Sequence, residues 1–150
     1  MKELIEYRVK LIERLEKAAG EFNDACMAHD AFAKIEGGWT AHQIASHTRD
    51  VAKWVYGARI EQALKEDNPM FKNFDADDWM STHYNKDEPL KEVLGEFLKN
   101  IEDLCGTLRG LPQEAWSRES RHESMGGGLT LQLWVERSLA HIEEHLKTLA

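Results

Sequence analysis

Proline occurs three times and cysteine twice in 150 residues, and these scarcities already exclude several kinds of protein. Two cysteines cannot build the disulfide framework that holds small secreted domains together. Cys26 and Cys105 have neither a Cys-x-x-Cys spacing nor an adjacent histidine, so both read as buried thiols acting as small hydrophobes. So little proline excludes a polyproline or collagen-like rod and leaves long stretches free to be helical. Positive charge is short as well: Lys+Arg 19 against Asp+Glu 27 leaves a net −8. Without a Lys/Arg cluster there is no electrostatic footprint for nucleic acid or an anionic membrane, and neither is expected as a partner. No apolar run approaches the roughly 20 residues a membrane span requires. The opening Met1-Lys2-Glu3-Leu4-Ile5-Glu6 alternates charged and apolar side chains and lacks a signal-peptide core, so a cytoplasmic location is expected.

What is present is an apolar fraction of 42%, enough to fill the core of one domain over residues 1–150. Its spacing predicts four long helices and no convincing strand. The first runs over about residues 2–29, with Leu4, Leu11, Leu15, Ala18, Phe22 and Cys26 on one stripe, and Gly37-Gly38 closes the stretch. The second starts at Thr40, whose spacing to Gln43 is that of a capping box. It carries Ile44, His47, Val51, Trp54 and Ala58 inward and ends near Glu66. A connection from Asp67 to Lys86 holds Phe71, Phe74, Trp79 and Tyr84, aromatics expected to pin it across the core. The third helix opens at Asp87-Glu88-Pro89 and aligns Leu90, Leu94, Phe97, Ile101, Leu104 and Leu108, with Gly110 at its end. Leu111 to Gly128 form a second connection. Thr130 then caps a fourth helix in which Leu131, Val135, Ser138, Ile142 and Leu149 face inward. The fold class is all-α, a four-helix bundle.

Chemistry concentrates in the histidines. His141 and His145 are four apart, so on a helix they lie one above the other and aim at one point. His47 lies on the inner stripe of the second helix, seven residues past Thr40, or about 10 Å in at 1.5 Å per residue. The His141/His145 midpoint lies about 10 Å from the foot of the fourth helix, so the depths match if these two helices run antiparallel. The long 67–86 connection allows that by crossing the bundle, which gives an up-down-down-up order. Three imidazoles suit Zn, Ni or Fe and leave a coordination position for water or substrate. His29 reads as a helix-end residue and His42 as an exposed first-turn residue. His83 and His122 lie in connections that can fold over the site.

Two zinc-protease templates come close to this pattern. Ile142 breaks H-E-x-x-H. His141, Glu144 and His145 match H-x-x-E-H, but only five residues follow His145, too few for a downstream third ligand. Glu143 and Glu144 therefore read as a solvated helix face. Arg59 and Arg118 are candidate anchors for acidic substrate groups, against a plainer reading as a solvated helix residue and a loop residue.

Trp39-Thr40 followed by Ile44-Ala45-Ser46-His47, then Asp67-Asn68-Pro69, Asp75-x-Asp77-x-Trp79, Tyr84-Asn85 and Pro89-Leu90, make an ordered series. It continues through Leu111-Pro112-x-Glu114-x-Trp116-x-Arg118, His122, Gly128-x-Thr130-Leu131 and His141-x-x-x-His145-Leu146. Over nearly its whole length the chain resembles the DinB-like (YfiT-related) superfamily. That resemblance implies an up-down-down-up four-helix bundle and a divalent metal held by His47, His141 and His145. It also implies a homodimer, and an activity akin to the thiol-dependent S-transferases and the maleylpyruvate isomerase among its members. Asn100 departs from the Arg found there in many relatives.

The leading expectation is a metal-dependent enzyme in which a low-molecular-weight thiol, a co-substrate, or water is activated against a small electrophile, as in a thiol S-transferase. No catalytic side chain beyond the ligands stands out. The rival expectation is a non-catalytic metal- or ligand-binding module of a stress response, and a third is an interaction protein with an apolar dimer face on the first helix.

Overall fold

The computed structural model describes residues 1–35 and 37–150. Helix α1 spans Lys2–Ala28, α2 Ala41–Asp50, α3 Ala58–Lys65, α4 Ala76–His83, α5 Leu90–Arg109 and α6 Leu131–Leu149. Val51–Gly57 joins α2 to α3 as a π-helical segment, so the second long rod of the bundle is α2, π segment and α3 in line.

Side-chain pairs along neighbouring rods give their directions. His47 meets His141 while Arg59 meets Trp134, so α2–α3 and α6 are antiparallel. Arg49 pairs with Glu88 and Glu96, and Ile60 and Leu64 line one groove with Leu104 and Thr107, so α2–α3 and α5 are parallel. Phe22 packs edge-on against Phe97 at 5.2 Å while Ile12 approaches Cys105, which makes α1 and α5 antiparallel. Such a T-shaped contact adds about 1 kcal/mol beyond its buried area. Tyr7–Glu136 and Arg14–Glu143 set α1 parallel to α6. The order is up-down-down-up, as the histidine depths require.

The helix starts follow their local chemistry. Thr40 and Gln43 form the reciprocal capping box, Thr130 Oγ1 accepts from the Leu133 N–H, and Pro89 precedes α5. In α1 the stripe Leu11, Leu15, Ala18, Phe22 and Cys26 is buried, whereas Leu4 lies at the exposed start. Gly110 ends α5 in a right-handed conformation rather than the left-handed one a terminal glycine often takes.

The π segment corrects the expected inner stripe of the second helix. A turn closing i→i+5 advances each residue by roughly 80° instead of 100°. Counted from His47, Val55 then returns to the inner face and Trp54 swings off it. Val55 is 6% exposed and Trp54 53%, and Ala58 is only half-buried.

The connections are more ordered than the expected all-helical pattern. The 67–86 crossover contains α4, whose start is capped by Asp75. It also contains strand β1, Met70–Phe71, which pairs in parallel with β2, Glu119–His122; β2 pairs antiparallel with β3, Gly126–Thr130. This three-stranded sheet contradicts the absence of strands read from periodicity. The strands are two to five residues long, and β3 opens on three glycines, too little for a period-two pattern to register. The aromatics do pin the crossover: Phe71 is buried against Trp134, and the Trp79 indole N–H donates to Asp50 Oδ2 at 3.0 Å. Among the described residues no helix is long and apolar enough to cross a membrane.

Candidate metal centre

His47 stands in the second turn of α2, at a depth set by the Thr40 cap, and His141 and His145 stand on successive turns near the end of α6. The three rings converge. The Nε2 atoms of His47 and His141 are 3.0 Å apart, and those of His141 and His145 are 3.1 Å apart. One ligand atom from each residue falls within 4.8 Å of the other two. Metal–nitrogen bonds of about 2.1 Å at angles between 90° and 109° place nitrogens about 3.0–3.4 Å apart, so these spacings fit a single cation. Trp39 meets the His47 ring edge-on at 5.1 Å, and Tyr56 lies 6.1 Å from His141. His47 is buried, while His141 and His145 are mostly buried and keep a minor part of their surface exposed.

Burial also settles the charge of the cluster. It pushes His47 down to about 4, helped by the neighbouring charge of His145 and opposed by Asp50. His141 is pushed down to about 3 by burial and then by His145 and His47. His145 is lowered by burial against the opposing charge of Glu144. At neutral pH the rings are uncharged, and each can present a lone pair. Three neutral nitrogen donors can hold a divalent first-row cation and leave a coordination position for a further ligand.

No cysteine competes as a nucleophile. Cys26 and Cys105 are both fully buried, and loss of hydration pushes their thiols up to about 12 and about 11. A groove of about 390 Å³ between α3 and α5 is lined by residues such as Gly57, Ile60 and Asn100, and none of the three imidazoles lines it.

The other histidines have separate explanations. His42 is not the exposed first-turn residue expected: it is 1% exposed, with Nδ1 2.6 Å from the Tyr84 hydroxyl and Nε2 2.6 Å from the Glu88 carbonyl. It ties α2 to the start of α5. His29 does end α1, and its Nε2 lies 2.7 Å from the Leu149 carbonyl. His83 stacks on Trp79 at 3.7 Å on the exposed α4. His122 sits buried on β2, where Nδ1 accepts from the Ser124 and Met125 N–H groups. None of these four joins the cluster.

Arg118 has a structural task. Its Nε and Nη2 donate to the Ala63 and Glu66 carbonyls and close the C-terminal end of α3. Arg59 is no plain solvated residue either, since it stacks over Trp134 at 4.7 Å and is half-buried. Glu143 pairs with Arg14, and Glu144 is exposed. Pattern reading missed Asp50, which is 7% exposed and gripped by Arg49 Nε and the Trp79 indole. Its place three residues past His47 was the available signal.

The bundle and its imidazole cluster define a class: helical proteins with a candidate tri-histidine metal site at the meeting of two antiparallel rods. The chain belongs to the DinB superfamily, whose sequence model matches residues 9–149. Over 112 residues it is 29% identical to a protein of Oceanobacillus iheyensis named "Putative metal-dependent hydrolase", across 71% of this chain and 64% of that one. The matched region thus spans less than two thirds of that relative. The structure resembles YfiT from Bacillus subtilis, described as "a probable metal-dependent hydrolase with an unusual four-helix bundle topology". The TM-score is 0.77 at 24% identity, covering 93% of this chain and 85% of YfiT. At that identity the likeness speaks for the fold alone.

Proposed function

We propose that His47, His141 and His145 hold a divalent cation, with Zn, Ni or Fe as candidates, and that the centre promotes attack of an exogenous nucleophile on a small electrophile. The carrying observation is the convergence of three neutral Nε2 atoms with edges of 3.0 and 3.1 Å. The cation, when bound, supplies Lewis acidity and lowers the pKa of a coordinated water or thiol. The chain supplies the rest. Burial keeps the rings unprotonated, Trp39 and Tyr56 wall the cluster, and the partly exposed edges of His141 and His145 are the side from which reactants would enter.

The nucleophile has to come from outside, because both thiols of the chain are buried and strongly disfavoured as thiolates. Water gives a hydrolase, in keeping with the names carried by the two relatives; a low-molecular-weight thiol gives an S-transferase. The test is metal analysis of the purified protein beside a His47→Ala variant, followed by ester-hydrolysis and thiol-conjugation panels. One cation per chain, lost in the variant, is expected together with turnover in one panel. Equal metal in both proteins would remove His47 from the site. Full metal loading with silence in both panels would make the chain a binding module.

A further inference from the structure

Two guanidinium groups next to the imidazole cluster are left without the partners that arginines usually have. Arg59 is half-buried over Trp134 at 4.7 Å, with Tyr56 and Phe71 at 5.9 and 5.8 Å. Of the five N–H donors of a guanidinium, its hydrogen bonds among the described residues use only Nη2, directed to the Lys72 carbonyl at 3.1 Å. Neither Arg59 nor Arg137 takes part in an ion pair among the described residues, although acids outnumber bases in this chain. Arg137 is exposed on α6, one turn past the Trp134 on which Arg59 stacks, and its charge acts on both Arg59 and His122. Glu123, the acid felt by His122, is held by Asn73 Nδ2 at 3.0 Å. Holding the Arg59 guanidinium partly desolvated, without an acidic side chain paired to it among the described residues and within reach of the charge of the exposed Arg137, costs free energy that stacking on Trp134 only partly offsets.

The position of the pair relates it to the cluster. Arg137 is four residues before His141, one turn along α6 and about 6 Å from it by helical rise. Arg59 is twelve residues after His47. In an unbroken α-helix it would point about 120° away, but the π segment removes about that much rotation and returns it to the His47 face. Tyr56 bridges the two places, being next to His141 on one side and Arg59 on the other.

We propose that Arg59 and Arg137 form an anion-receiving subsite about one helical turn from the imidazole cluster, so that the substrate carries a carboxylate or phosphate at that distance from its reacting atom. The second half of this statement rests on the metal-centre reading above; the first half stands without it. Planar forked donors suit both anions.

The two halves are tested separately. In metal-free protein, the arginine Nε–Hε NMR signals are followed while inorganic phosphate and succinate are added in parallel. Saturable shifts at Arg59 and Arg137, weakened at least tenfold in Arg59→Gln and Arg137→Gln, are expected, and the stronger titrant identifies the anion class. Signals that do not move, or an affinity unchanged in both variants, would overturn the subsite. In cobalt-loaded protein the visible spectrum then compares 4-mercaptobutyrate with the neutral 4-mercapto-1-butanol. About a tenfold preference for the acid, reduced towards unity in either variant, is expected. Thermal melting of each variant checks that it remains folded. Protein that takes up no cobalt but still shows the arginine shifts would sink the metal reading and keep the subsite. Cobalt uptake with no acid preference and no shifts would do the reverse.

Discussion

Metal binding should survive acidification far better than three ordinary histidines would allow. An imidazole with a pKa near 6.5 is about ten-to-one protonated at pH 5.5, so each such ligand costs a metal about a factor of ten there. Three of them cost about a thousandfold between pH 7.5 and 5.5. In this protein burial holds His47 near 4 and His141 near 3, so both remain free of protons at pH 5.5 and cost almost nothing. Only His145, whose lowering is smaller, can contribute, and its ceiling is about tenfold. The same shifts have a stability consequence for the metal-free protein. A histidine lowered in the folded state favours folding above its unfolded pKa near 6.5, and this contribution fades as pH falls through the folded values near 4 and 3. The assay is zinc affinity by competition with a chelator of known proton dependence, at pH 7.5 and 5.5, with circular dichroism confirming the fold at both. A loss of about tenfold or less is expected. A thousandfold loss would show that the rings titrate like exposed histidines and that the buried cluster is wrongly drawn.

Three further outcomes follow from other parts of the fold. A Cβ on Gly57 would lie 2.5 Å from the Ala52 carbonyl oxygen, so Gly57→Ala should destabilise the protein by about 1–3 kcal/mol in urea unfolding; an unchanged midpoint would contradict the tight π segment. Trp79→Phe removes the donor to the buried Asp50 carboxylate and should cost about 2 kcal/mol, measured the same way, with a loss under half of that counting against the contact. Cys26 and Cys105 should resist a thiol-specific reagent at pH 8 in the native protein and react only in denaturant; rapid native labelling would refute their burial.

Much of this was legible before any coordinates. Caps at Thr40 and Thr130, and the proline before α5, act through residues three or fewer positions away, so local chemistry was enough to place them. The helix order came from a distance argument: His47 and the His141/His145 pair reach one depth only if their rods oppose each other. What escaped depended on partners remote in the chain. His42 is buried because Tyr84 and Glu88 come back to it from more than forty residues on, and no pattern around His42 announces them. Strand β1 is two residues long and exists only because Arg121 and His122 lie alongside it. Arg137 drew no notice because an arginine on a helix is ordinary until Arg59 stands opposite, and Arg59 stands there only by way of the π segment.

That segment behaves like a spare residue spliced into a regular rod. Excising one position between Val51 and Gly57 would restore an ordinary helical winding and swing everything downstream around the axis, Arg59 included, while His47 upstream kept its place. A single insertion or deletion at this point therefore changes which side chain accompanies the imidazoles without altering any of the three. The winding of this one segment thus sets the neighbourhood of the cluster independently of the three rings themselves.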